Sequence, residues 1–246
     1  MSSFFHALGF LTRLPVPRNL NPDAWSKSPP WYPVVGVLLG ALLALVGYAL
    51  EFLTPPAVTA ILLLTLWVFL TGGLHLDGLM DTADGFGSYR SKERILEIMK
   101  DSRVGGMGVL AAILLLGTKA AALFSLQGSS QIIALAAAPV LGRMAMTAAL
   151  YGFPYAREEG LAQSLRKDAR VEGWVVFFFF LLVCLFVGRV LGIFTLVLSA
   201  VACTLLIRSS LRKIGGLTGD VYGALCEVTE AVVLLSVVVA RNLQWI

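Results

Sequence analysis

Val175–Ile207 reads VVFFFFLLVCLFVGRVLGIFTLVLSAVACTLLI and carries a single charge, Arg189. A transmembrane helix needs about 20 mostly apolar residues. The stretch is therefore long for one crossing, and Gly188-Arg189 interrupts it, so it is read as two helices, the first of them short. Working outward, Val34–Leu50, Ala57–Leu76, Val104–Leu126, Ile132–Leu150 and Val221–Ala240 each fit one helix. The chain is 58% hydrophobic and 14% charged, against roughly 25% charge in a soluble domain, and its mean hydropathy is +0.84. These tracts predict an all-α, polytopic membrane helix bundle of about seven spans, forming one domain over residues 1–246. Six spans is the alternative, with the long tract tilted or re-entrant.

Basic residues orient the bundle. Lys and Arg collect in cytoplasmic loops. With the N-terminus inside, fifteen of the nineteen basic residues fall in cytoplasmic segments, among them Arg13, Arg18, Arg90, Arg103 and the loop Arg157–Arg170. Arg189 and Arg241 fall outside, and Lys119 and Arg143 fall within spans. The formal charge of +4 is thus mainly topological and does not argue for nucleic-acid binding. Anionic lipid contact also accounts for the loop Arg157–Arg170.

The N-terminus has no basic segment before its apolar stretch, so no signal peptide is expected. Ser2–Leu14 reads as a short interfacial amphipathic helix ended by Pro15 and Pro17. Ser91–Lys100 reads as a second helix lying on the membrane surface. Cys184, Cys203 and Cys226 lie in apolar tracts without metal-ligand spacing and read as small packing residues. Phe177–Phe180 reads as lipid-facing bulk, and His6 as interfacial and structural.

Against this background the segment Gly72–Gly108, GGLHLDGLMDTADGFGSYRSKERILEIMKDSRVGGMG, is unusually polar. Asp77, Asp81 and Asp84 are spaced four and three apart and share one face of a helix. Grouped carboxylates repel one another, and a cation between them makes a binding site. Mg2+ takes oxygen ligands and shares them with substrate phosphates. Asp101 arrives from the far end of the loop as a fourth metal ligand. Asp81 and Asp84 are also read as catalytic. His75 can ligate metal, move a proton or bond a phosphate oxygen.

A second group follows Gly215-Gly216-Leu217-Thr218-Gly219. Asp220, Glu227 and Glu230 share a helix face, and charges at membrane depth turn towards the bundle interior. They are expected to complete the cation site, bind substrate, or pair with Lys119 or Arg143. Arg13, Arg90, Arg103, Lys119 and Arg143 form the matching set of cations. Guanidinium groups bind phosphate oxygens bidentately, so these five are read as phosphate-binding. Together the residues describe a metal-dependent transferase acting on a diphosphate at the membrane face.

Four segments carry a family resemblance: TRLPVP (Thr12–Pro17), GGLHLDGLMDTADGFGSYR (Gly72–Arg90), EIMKDSRVGGMGVL (Glu97–Leu110) and GGLTGDVYGALCEVTE (Gly215–Glu230). They resemble the cobalamin synthase family, also called adenosylcobinamide-GDP ribazoletransferase. That resemblance implies a multi-pass enzyme of the bacterial inner membrane with its site on the cytoplasmic side. It implies Mg2+ as cofactor, and adenosylcobinamide-GDP and alpha-ribazole or its 5'-phosphate as substrates, with GMP released. Membrane lipids are the other partner, a homo-oligomer is compatible with the sequence, and nucleic acid is not expected. Asp81-x-x-Asp84-Gly85 also matches the opening of the CDP-alcohol phosphotransferase signature, but the later half is absent. A CDP-alcohol-type or prenyl-diphosphate transferase is the nearest alternative. An ion-coupled transporter using Asp77, Glu227 and Glu230 is the alternative from another class.

Overall fold

The computed structural model describes residues 1–157, Leu165 and residues 171–245; before Val190 in the helix Val171–Ile214, side chains are described only at Phe178 and Leu181. Arg166, Lys167 and Arg170, and the side chains of Cys184 and Arg189, lie outside the described residues. The described residues form nine α-helices: α1 Ser2–Leu11, α2 Tyr32–Glu51, α3 Pro56–Thr71, α4 Leu74–Gly87, α5 Lys92–Ile98, α6 Gly106–Ser125, α7 Ser129–Gly152, α8 Val171–Ile214 and α9 Gly219–Asn242. Two short 3-10 turns, Pro22–Ala24 and Pro29–Trp31, precede α2. A single isolated bridge, Tyr155 to Leu217, is the only β pairing among the described residues.

Among the described residues, five helices are long and apolar enough to cross a membrane, and the bent pair α3 and α4 makes a sixth when counted as one span. The chain is a multi-pass membrane protein. Two expectations shift. The tract Ala57–Leu76 does not run as one helix: Gly72 and Gly73 both take left-handed conformations, φ +65° and +72°. Their N–H groups bond back to Phe69 and Val68 carbonyls at 3.1 Å, a Schellman-type stop, and α4 leaves at 88° to α3. The long tract, in contrast, is not split at Gly188-Arg189. The α8 ladder runs unbroken for 44 residues, because one glycine costs a helix interior only about 1 kcal/mol. Its 44 residues rise about 66 Å, roughly twice the hydrocarbon thickness, and among the described residues Val190–Ile214 is long and apolar enough to cross a membrane.

Both surface helices form, as α1 and α5. His6 Nε2 bonds the Asn21 carbonyl at 2.9 Å, which fits its structural reading. Phe178 is exposed, as expected of lipid-facing bulk.

The bundle packs around α7 and α9, the most buried of the spanning helices. Water provides no drive between helices in lipid, so close packing does the work, and small residues permit it. Gly36 and Gly40 on α2 lie directly on α7: a Cβ on Gly36 would stand 2.6 Å from the Pro139 carbonyl oxygen, and one on Gly40 would stand 2.7 Å from that of Ala136. Gly78 and Gly223 do the same where α4 crosses α9, each facing the other helix's backbone. Large apolar side chains such as Leu45, Phe69, Leu114 and Leu205 point outward and are exposed, as a lipid-facing surface requires.

Hydrogen bonds define the two ends. At one end, Arg13 N–H donates to the Leu70 carbonyl, the Pro154–Ala156 segment pairs with Leu217 through two 2.8 Å bonds, and Lys213 donates to the Phe86 carbonyl. At the other end, Gly128 N–H donates to Glu51 and Arg241 donates to the Ser125 carbonyl.

Candidate active site

The first end carries the chemistry-bearing residues. Helix α4 is amphipathic, with His75, Gly78, Thr82 and Gly85 buried and the carboxylates turned outward. Its glycines let it lie against α9: a Cβ on Gly78 would stand 2.8 Å from the Asp220 carbonyl oxygen. That contact brings Asp220, in the first turn of α9, to the acidic face of α4. Asp81 stands in the field of Asp77, Asp220 and Asp84, with Arg157 the opposing charge. Thr218 caps α9 by accepting from Val221 N–H, and its hydroxyl also donates to Asp220 at 3.2 Å. Arg157 donates to Asp220 Oδ2 at 2.9 Å and to the Met99 carbonyl at 3.5 Å.

Asp84 turns away from this group. Its Oδ2 accepts Gly105 N–H and its Oδ1 accepts Gly108 N–H, at 2.8 and 2.7 Å. The side chain thus caps the N-terminus of α6 from another helix. Asp101 accepts from Arg103 through both oxygens, from its Nε at 3.0 and 3.1 Å and its Nη2 at 2.5 Å. The Arg103 guanidinium and backbone N–H hold the Asp101 carboxyl down at about 2. Arg13 is exposed and packs over Gly72, and Arg90 is exposed in the loop after α4.

The deep charges lie together and away from the acidic face. Lys119 on α6 donates to Glu227 and Glu230 on α9, each at 2.6 Å. Arg143 on α7 pairs with the other oxygen of Glu230. All four are buried, and Lys119 also sits 4.8 Å over the Trp67 ring. Two cations and two carboxylates balance. Arg143 Nη2 then reaches His75 Nδ1 at 3.4 Å, linking this quartet to α4.

Between α1, α2, α4, α7 and α9 lies a cavity of about 270 Å³. One wall is apolar, with Phe10, Tyr32, Met146 and Leu150. The other holds His75, Asp77, Asp220 and Arg157. The tyrosine beside Arg157, Tyr155, also lines it, and burial pushes its phenol above the ordinary value.

The structure therefore brings Asp77, Asp81 and Asp220 together with His75 nearby. It sends Asp84 and Asp101 to other partners and pairs Lys119, Arg143, Glu227 and Glu230 among themselves. Sequence reading missed Arg157, which it took for a topology charge. No local pattern marks it, because its partner Asp220 is 63 residues away.

Among the described residues, no three His, Cys, Asp or Glu side chains are drawn into one metal-binding group. Mg2+ usually takes one or two carboxylates and fills its octahedron with waters and substrate phosphates, and Asp77 and Asp81, one turn apart on α4, are the residues that could supply them.

A family model described as cobalamin-5-phosphate synthase matches residues 3–238. A Brevibacillus brevis protein named adenosylcobinamide-GDP ribazoletransferase is 43% identical over 97% of this chain and 98% of its own length. A Roseiflexus protein of the same name is 43% identical over 97% of this chain and 90% of its own. One from Desulfitobacterium hafniense is 40% identical, covering 96% of each chain. No solved structure matches the chain.

Proposed function

The chain belongs to the cobalamin-5-phosphate synthase family, and from that premise we propose that it transfers the adenosylcobinamide-phosphate group of adenosylcobinamide-GDP to alpha-ribazole or its 5'-phosphate, releasing GMP. The observation that carries this reading is the gathering of Asp77, Asp81 and Asp220 beside a nucleoside-sized cavity. The substrates meet at the cytoplasmic face of a bacterial inner membrane, a reading supported by the basic residues Arg13, Arg90, Arg103 and Arg157 at this end of the bundle.

An acceptor hydroxyl oxygen attacks the phosphorus bonded to the cobinamide arm. A new P–O bond forms there, the bond to the bridging oxygen breaks, and GMP leaves with that oxygen. Asp77 and Asp81 would hold Mg2+, which when bound neutralises phosphate oxygens and stabilises the leaving group. Asp220, oriented by Arg157 and Thr218, accepts the hydroxyl proton. Arg13, Arg90 and Arg103, exposed at this end, draw the diphosphate in. Asp84 and Asp101 act on the site from its edges: Asp84 fixes the start of α6, and Asp101 sets Arg103. The transporter reading fares worse, since Glu227 and Glu230 are occupied by Lys119 and Arg143.

The test is turnover by purified full-length protein in nanodiscs with Mg2+, adenosylcobinamide-GDP and alpha-ribazole. Equal amounts of GMP and cobamide are expected, with none after metal removal. Absence of GMP under the complete conditions overturns the reading.

A further inference from the structure

The cavity has a property that the acidic face does not explain. His75 is buried, lines the cavity, and its Nε2 has no hydrogen-bond partner among the described residues. Its other nitrogen, Nδ1, faces Arg143 Nη2 at 3.4 Å. A guanidinium has only donors. Nδ1 must therefore accept, and the hydrogen of the neutral ring is on Nε2. A buried N–H with no partner demands an acceptor.

The rest of the polar wall sets the acceptor's chemistry. Asp77 and Asp220 present carboxylate oxygens, and Arg157 is already bonded to Asp220. Two carboxylate acceptors, the His75 Nε2 donor and the hydroxyls of the lining tyrosines suit hydroxyl groups and an ether or ring nitrogen. Phe10, Tyr32 and Met146 in the same lining offer apolar surface to a flat ring. At about 270 Å³ the cavity is at the small end of ligand pockets, roughly 300–1,000 Å³. It has room for a nucleoside and none for a corrin macrocycle.

We infer that this cavity receives the acceptor, an aromatic-base riboside, and that His75 meets it as a hydrogen-bond donor through Nε2, not as the proton acceptor of the reaction. This rests on the transferase reading above. Arg143 is then a positioning residue: Glu230 holds it, and it holds the tautomer of His75. The buried quartet thereby connects to substrate through one imidazole.

The experiment measures alpha-ribazole binding to full-length protein in nanodiscs by calorimetry, without donor or Mg2+, alongside binding of adenosylcobinamide-GDP. His75→Gln supplies an oxygen towards Arg143 and an N–H towards the cavity, but cannot take up a proton. It should keep alpha-ribazole affinity within about threefold, whereas His75→Ala should weaken it by about tenfold or more, the loss of one buried hydrogen bond. In turnover, KM for the acceptor should rise in His75→Ala while KM for the donor holds. Met146→Trp, which fills the apolar wall, should abolish alpha-ribazole binding and spare the donor; its unchanged donor affinity also reports correct folding. Equal losses of turnover in His75→Gln and His75→Ala overturn the donor assignment. Acceptor binding that survives Met146→Trp overturns the cavity assignment. Wild-type protein that releases no GMP refutes the transferase reading instead, and the two failures are distinguished by that control.

Discussion

Asp84 accepts the backbone N–H of Gly108 at 2.7 Å across 24 residues of sequence. The contact explains the run Gly105-Gly106-Met107-Gly108 in physical terms. A Cβ on Gly105 would fall on the Asp84 carboxylate, and one on Gly108 would stand 2.5 Å from Asp84 Oδ2. The glycines clear space for a carboxylate, and that carboxylate holds a helix N-terminus, where negative charge is favoured. Asp84→Ala leaves two N–H groups without this acceptor and should lower stability by about 1–3 kcal/mol, seen as a lower unfolding midpoint. Gly108→Ala should do the same with Asp84 intact. An unchanged midpoint in both would sink the capping role.

Lys119 and Glu230 yield a second expectation. Removing one member of a buried ion network leaves an uncompensated charge, and the cost is about 3–5 kcal/mol. Lys119→Met should be severely destabilised. Lys119→Met combined with Glu227→Gln should recover part of the loss, since it removes one charge of each sign. Additive losses in a double-mutant cycle would contradict the coupling.

Arg157 is expected to matter for turnover. Its bond to Asp220 spans the 153–157 loop and the start of α9. Arg157→Ala should lower kcat on the order of 100-fold, the scale for losing one preorganised electrostatic contact, with little change in melting temperature. Arg157→Lys should recover part of the rate. Measuring kcat and unfolding midpoint together separates this from a folding defect.

On the proposed mechanism, Asp77→Asn and Asp81→Asn should each raise the Mg2+ concentration needed for half-maximal GMP release by about tenfold or more, since a Mg2+ ion typically takes only one or two carboxylates. A Mg2+ titration identical to wild type in both variants would exclude these residues as ligands.

Asp101 has a defined pH signature. Arg103 lowers its folded value to about 2 from an ordinary 3.8. A depressed carboxylate contributes stability above its unfolded value and loses it as pH falls through the folded one. The contribution is therefore complete above about pH 4 and disappears towards pH 2. Near neutral pH its charge is constant, so Asp101→Asn should leave the shape of the pH–rate profile from 6 to 9 unaltered. Isotope-edited carboxyl titration checks the value directly.

Much of this was legible in the sequence. Apolar tracts marked the helices because lipid demands continuous apolar length, and the spacing of Asp77 and Asp81 marked a shared face. Glu230 was expected to turn inward, and it does; of the roles open to it, pairing with Lys119 or Arg143 is the one seen. The pieces that were hidden depend on backbone geometry and distance. The 88° bend comes from two consecutive left-handed glycines, Gly72 and Gly73, which a hydropathy window averages away. The unbroken α8 kept Gly188-Arg189 inside a helix because neither residue removes a backbone hydrogen bond. Asp84 looks like a metal ligand by spacing and is engaged by α6 through amides that carry no sequence signal. Arg157 became visible only when Gly78 let α4 approach α9 closely enough to place Asp220 there.

The buried quartet also dictates an order of assembly. Lys119 and Arg143 are translated on α6 and α7, while the carboxylates that neutralise them arrive on α9, about a hundred residues later. Until α9 emerges from the ribosome, these two cations lack the carboxylates that pair with them in the finished bundle, so the half-made bundle cannot settle into lipid as a finished unit. Helix α9 thereby completes the internal charge balance: a chain that stops before Gly219 should be retained by the insertion machinery or degraded, even though α6 and α7 are present.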